Sequence, residues 1–212
     1  GSSQGDWRYN EFYYRRGALH QARGQLADTD IAIDNYNKVL ASRRSERKAE
    51  AAQAVETLAL AVADENRVRG GMSLSQAIKY YSVALGARPD SGRAQEGLGQ
   101  SYLQLCREGT TTPAQRVTDC LSARTAFEAA KGLAGADQTL VLLGLGESLS
   151  VAAAELAKVN PGDGNILLYK QGSVDAYAQA ASGSGGNAKA QLSLANALKA
   201  TQPDRASEAY RQ

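Results

Sequence analysis

Few residues in this chain could carry chemistry. Cys106 and Cys120 are its two cysteines, and His20 is its one histidine. One imidazole, remote in sequence from both thiols, leaves no Cys-His or Ser-His pair to activate a nucleophile. Neither a GxSxG nor an HExxH pattern occurs. A zinc site lacks its ligands, because no CxxC is present. Gly144, Gly146, Glu147 and Ser148 have glycines at the spacing of a phosphate loop. They lie inside an apolar helical pattern and not after a strand, and no lysine follows. The carboxylate pairs Asp28/Asp30 and Glu46/Glu50 read as helix starts and solvated helix faces, not as acid–base dyads. His20 reads as an ordinary helix-surface residue. The chain is therefore read as non-enzymatic, with no cofactor and no metal.

The elements around these residues read as helices. The 212 residues are 43% hydrophobic, enough for a packed core. Alanine dominates that fraction and Phe occurs only twice, which suits close helix packing. Period-two β-branched runs are missing, so almost no strand is expected. The 24 basic and 22 acidic residues leave a net charge of +2, with no electrostatic case for nucleic acid or a membrane surface. No apolar stretch reads as long enough to span a bilayer, so no direct membrane insertion is expected. Gly1–Ser3 looks like a cloning remnant, and residues 1–5 are expected to be disordered.

The most regular stretch runs from Ala77 to Tyr102. Ala77, Tyr81 and Ala84 share one helical face, with Ile78 and Leu85 beside it. Pro89 ends that helix, and Asp90 or Ser91 can cap the next. Leu98, Gly99 and Tyr102 form a second stripe, where Gly99 admits a close neighbour. The order Ala77, Tyr81, Pro89, Leu98-Gly99, Tyr102 resembles the tetratricopeptide repeat family, with Gln95 at the family's Trp position. The resemblance implies an all-α, right-handed solenoid of antiparallel helical hairpins with about ten helices. One such domain over 6–212 would hold hairpins at about 6–44, 45–90, 91–135, 136–186 and 187–212. Further matches are Ala32/Tyr36/Val39, Ala123/Phe127/Ala130, and Tyr177/Ala180 with Ser173 at the alanine place. Leu145-Gly146 with Leu149 fits the first-helix signature, and Leu143-Gly144 is nearly as good a register. Leu194-Ala195 and Leu198 repeat the signature. Ala206 and Tyr210 begin a last second helix that stops mid-pattern, which implies a fragment.

The anchors Tyr36, Tyr81, Phe127, Tyr177 and Tyr210 are 45, 46, 50 and 33 positions apart. The family period is about 34. The excess falls inside hairpins, between Val62 and Ala77, Tyr102 and Ala123, and Leu149 and Ser173. Either working insertions lie along one edge, or helices and loops are simply longer. Cys106 and Cys120 flank one of these segments, at the end of one helix and near the start of the next. Antiparallel helices bring those ends together, so a Cys106–Cys120 disulfide is sensible, worth about 3 kcal/mol. Two reduced, buried cysteines are the alternative. A persistent disulfide implies a periplasmic or otherwise extracytoplasmic protein.

The family resemblance implies binding in a concave groove lined by first helices. The matching positions are Gln53, Glu56 and Leu60, then Arg93, Glu96, Gln100 and Gln104, then Lys189, Asn196 and Lys199. Some members clamp the C-terminal carboxylate of chaperones with Lys and Asn. Only Asn196 matches, and Leu192 stands where the lysine would, so that role is not expected. Trp7, Tyr9, Phe12, Tyr13 and Tyr14 form an aromatic cluster that either caps the solenoid end or presents a patch to a partner. The leading expectation is a scaffold for protein–protein contacts in a bacterial envelope complex serving secretion, polysaccharide export or the cell wall. The protein or peptide partner would sit in the groove or along the insertion edge. Direct binding of a polysaccharide is the second expectation, and a cytoplasmic adaptor or co-chaperone the third.

Overall fold

Local chemistry sets where the helices begin and end. Ser91 Oγ accepts from the Ala94 N–H at 3.3 Å, and Thr112 Oγ1 accepts from the Gln115 N–H at 3.2 Å with Pro113 following. Asp137 and Asn187 cap two later helices in the same way. Gly24, at φ +66°, closes the first helix in the left-handed geometry that glycine tolerates. The computed structural model describes residues 3–24, 26–42, 45–108, 112–183 and 187–202, and for 3–7, 26 and 200 the backbone alone. Among the described residues there are nine α-helices, one 3₁₀ turn and no strand. The helices are α1 (Ser3–Arg23), α2 (Leu26–Ala41), α3 (Lys48–Arg69), α4 (Leu74–Ala87), α5 (Gly92–Glu108), α6 (Pro113–Ala130), α7 (Gln138–Val159), α8 (Asn165–Gly183) and α9 (Ala188–Thr201). The tenth helix, expected around Ala206 and Tyr210, lies outside the described residues.

The chain divides into two compact units, Gly1–Val68 with Ser75–Asp90, and Arg69–Leu74 with Ser91–Gln212. In the first, Tyr36 of α2 is buried with its ring against Gly17 of α1, and its hydroxyl donates to Gln21 Oε1 at 2.8 Å. Tyr81 of α4 is fully buried; its hydroxyl donates to Asp64 and accepts from Arg67 Nε at 3.1 Å, both on α3. Tyr80 donates to Asp30 of α2 at 2.6 Å, which ties α4 to α2.

The second unit is built on Phe127 of α6, which is fully buried. A Cβ added at Gly99 of α5 or at Gly144 of α7 would land within 3.0 Å of its ring. A Cβ at Gly146 would strike the Tyr177 ring of α8 instead. Residues 144 and 146 lie about 200° apart around α7, so one glycine faces α6 and the other faces α8. That is why two registers looked nearly equal in the sequence: both glycines are used. Gly146 holds in the α7–α8 pair the place that Gly99 holds in the α5–α6 pair. Within this unit α5 also contacts α7, and α7 contacts α9.

Of the two readings of the excess spacing the helix bounds favour longer helices, and the place of Cys120 and the apolar length of α7 need correcting. The excess spacing is taken up largely by helix: α3 runs on to Arg69, α5 to Glu108 and α7 to Val159, while α6 begins at Pro113 and α8 at Asn165. Cys120 accordingly lies two turns inside α6, not near its start. Helix α7 is long and apolar enough to cross a membrane, with a mean hydropathy of 1.6 over its best window. Its apolarity has a nearer use, since 56% of that window is buried, much of it against α6 and α8.

The ring contacts make opposite predictions for two helical glycines. Alanine gains up to about 1 kcal/mol of helix propensity over glycine. Gly86 of α4 has open space around it, so Gly86→Ala should raise Tm slightly. At Gly144 the clash outweighs that gain, with overpacking costing about 1–3 kcal/mol, so Gly144→Ala should lower Tm. Adding Phe127→Leu should recover part of the loss; equal Tm for Gly144→Ala and the parent would refute the packing.

A second prediction concerns alkaline pH. Burial, helped by the Asp30 carboxylate, pushes the Tyr80 hydroxyl up to about 12 from an ordinary value near 10. Burial raises Tyr81 and Tyr177 further, with Asp64 and Glu147 as the next causes. The unfolded chain loses these protons first, so stability is intact below pH 10 and falls from there through about 12. Urea melts at stepped pH should show this slope, and Tyr81→Phe should flatten it.

Candidate functional site

The candidate residues His20, Asp28, Asp30 and Glu50 are each paired within the protein. His20 Nδ1 lies 2.7 Å from Asp28 Oδ1, and each side chain is 13% exposed, so His20 helps join α1 to α2 and is not an open surface residue. Asp30 accepts from Tyr80, and Glu50 pairs with Arg47 at 2.7 Å. Among the described residues no three His, Cys, Asp or Glu side chains meet as a metal-holding cluster.

The residues expected to line a binding groove divide by what they touch. In the first unit Gln53 is exposed on α3. Glu56 instead accepts from Arg88 at 2.9 Å and is 14% exposed, and Leu60 is buried in the core. Leu60 is therefore no surface residue; its helical face carries core positions such as Ala59 and Ala63. On α5, Arg93 is exposed. Glu96 accepts from Gln100 at 2.8 Å and from the Asp137 N–H at 2.8 Å, which fixes the start of α7. Gln104 donates to Glu108 at 3.1 Å, and Glu108 also accepts from the Gly71 N–H. Glu96, Gln100 and Gln104 thus bind the protein itself. Arg107 of α5 forms an ion pair with Glu147 of α7 that spacing alone did not single out.

The α9 positions stand differently. Lys189, Asn196 and Lys199 are exposed and share one helical stripe with Leu192, which is 55% exposed. This is an apolar centre flanked by cations on the surface of the second unit.

The aromatic cluster of α1 also divides. Tyr14 turns inward, its ring 5.6 Å from Tyr36 and under the Arg47 guanidinium. Tyr9 and Phe12 point to solvent at 51% and 56% exposure, each packed edge-on to Tyr13. Of Trp7 only the backbone is described, so its part in the cluster lies outside the described side chains.

Two features of the second unit went unread in the sequence. A groove of about 200 Å³ opens between α6 and α8, floored by Leu145 and Leu149 and walled by Leu168, Tyr169, Arg124 and Asp175. Leu167 and Leu168 are strongly exposed beside it. Glu155 of α7 is buried and paired with Arg116 of α6 and with Lys158 at 2.7 Å. A lone Glu in the run AAAELAKV carries no mark of its distant partner.

Cys106 and Cys120 lie at disulfide-bonding distance, with Cα atoms 5.3 Å apart, in a small cluster with Ala152. That geometry is compatible with an oxidising compartment. Compared with known proteins, the chain matches no family model and no curated protein.

The pairing of the cysteines predicts that alkylation of native protein under denaturing conditions labels no thiol until reductant is added. Reduction should then cost about 3 kcal/mol of stability. Two labelled thiols in unreduced protein would count decisively against the bond.

Proposed function

We infer that this chain is a non-enzymatic helical-repeat scaffold that holds a protein partner on the exposed faces of its first helices. The observation that carries the reading is the recurrence of one packing unit. Gly17 against Tyr36, Gly99 against Phe127 and Gly146 against Tyr177 each seat an aromatic side chain of a second helix on bared backbone of a first helix. Repetition of one hairpin is the mark of repeat architectures, which act through extended surfaces and not through enclosed pockets. The finer reading is a right-handed solenoid similar to tetratricopeptide repeats, with a Cys106–Cys120 disulfide suited to the bacterial envelope. Its service there would be assembly of a secretion, polysaccharide-export or cell-wall complex.

The α9 stripe is the best-formed partner surface. Leu192 supplies an apolar anchor, and Lys189 and Lys199 favour a partner with acidic flanks. Arg93 is a further exposed cation of the second unit, on α5. A photo-crosslinking residue at Leu192 should trap a protein partner in envelope extracts. Lys189→Glu/Lys199→Glu should abolish the adduct while leaving Tm unchanged. An adduct of undiminished yield in that variant would overturn the assignment.

A further inference from the structure

The net charge of +2 averages away a local imbalance on α1. Arg8, Phe12, Arg15, Arg16, Leu19 and Arg23 recur at three- and four-residue spacing and share one helical face. All six are exposed, and Phe12 and Leu19 are each 56% exposed. Gly17 and Tyr14 lie on the opposite face, against Tyr36 of α2. Phe12 and Leu19 form the centre of the outward stripe, with arginines on both sides. Glu11, on the flank, is taken up by Arg15 at 2.6 Å and Arg47 at 3.5 Å. Arg16 and Arg23 form no ion pair with a described residue.

We propose that this face of α1 docks on an anionic phospholipid surface. Phe12 and Leu19 enter the boundary between headgroups and acyl chains, and the arginines reach phosphates on either side. The charge pattern selects this occupant. A lipid headgroup layer is anionic on every side of an inserted side chain, so the matching rim has one sign. The polar rim of a protein–protein contact is not held to one sign. The stripe from Arg8 to Arg23 is a convex helix face about 23 Å long, the form of a helix lying in an interface. Arginine bends its charged tip out of an apolar layer, and Tyr9, 51% exposed on the same side, is of a type that prefers the headgroup level. Docking of this kind is peripheral and reversible, since it combines two apolar side chains with electrostatic attraction. It uses a different helix from the partner stripe of α9 and stands independently of it.

The test is sedimentation of the purified chain with vesicles of phosphatidylcholine alone or mixed with phosphatidylglycerol. Binding is expected to the mixed vesicles only, and to weaken as salt is raised. Arg8→Gln/Arg16→Gln/Arg23→Gln should reduce partitioning on the order of 100-fold. Phe12→Ser/Leu19→Ser should also release the protein, and because both side chains are exposed its Tm should match the parent. A Trp7→Phe/Phe12→Trp variant reports insertion directly by a blue shift of its emission on mixed vesicles. The proposal is overturned by no sedimentation, by equal binding to both vesicle types, by retention in either multiple variant, or by an unshifted emission. Binding to polyglutamate with no binding to vesicles would overturn it in favour of an acidic protein.

Discussion

The second unit depends on how closely a helix backbone can approach an aromatic ring. Phe127 is fully buried because Gly99 and Gly144 present bare backbone to its ring from two different helices. With any side chain at those places the ring would need a new rotamer or the helices would have to move apart. Moving them apart would open space around a large side chain, and interiors leave almost none. The contact therefore sets the separation of α5, α6 and α7 together. Gly146 then repeats it toward α8, so that α7 joins one hairpin to the next through two notches on different sides. Alanine-rich surfaces such as Ala123, Ala126 and Ala130 allow the remaining helix faces to close to the same distance.

Polar links hold what the rings position. Tyr81 is buried, yet its hydroxyl is met by Asp64 and Arg67, so the helix that carries it leaves no orphaned donor in the core. Glu155 and Arg116 pair in the C-terminal half of α7, close to the cysteine pair, while Arg116 Nε and Glu155 Oε2 stay buried with no hydrogen-bond partner. A buried ion pair adds little net stability, but losing one partner leaves a costly charge behind. Such pairs fix which helix ends meet. The cysteine pair spans the same hairpin, joining the end of α5 to the second turn of α6. Interactions that looked available for binding are taken up in this way, Glu96 and Gln104 among them. Exposed side chains of mixed apolar and cationic character remain on α9 and on the outer face of α1.

Much of this was readable from residue order. The helical period, the proline at 89, the serine cap at 91 and the glycines beside leucines are local signals, and each acts within a turn or two of its own position. They settled the class of fold, most helix positions, the aromatic anchors and the cysteine pair as a possible bond. They also carry the expectation that no Cys-His or Ser-His pair is available, which rests on a histidine count of one.

Tertiary packing decided the rest, because the deciding contacts join residues far apart in sequence. Whether Gly144 or Gly146 faces the next hairpin depends on a rotation around α7 that leucine-glycine spacing leaves open, and the answer is that both are buried against rings. Whether extra residues form loops or lengthen helices depends on what the added turns pack against. The added turns of α6 and α7 meet through Arg116 and Glu155, 39 positions apart. Burial of Leu60 and exposure of Leu192 are likewise set by the neighbouring helix, since both leucines lie in similar local sequence. The charge of α1 shows the same division. Residue counts give a nearly neutral chain, and only the folding of α1 onto α2 turns its arginines outward together.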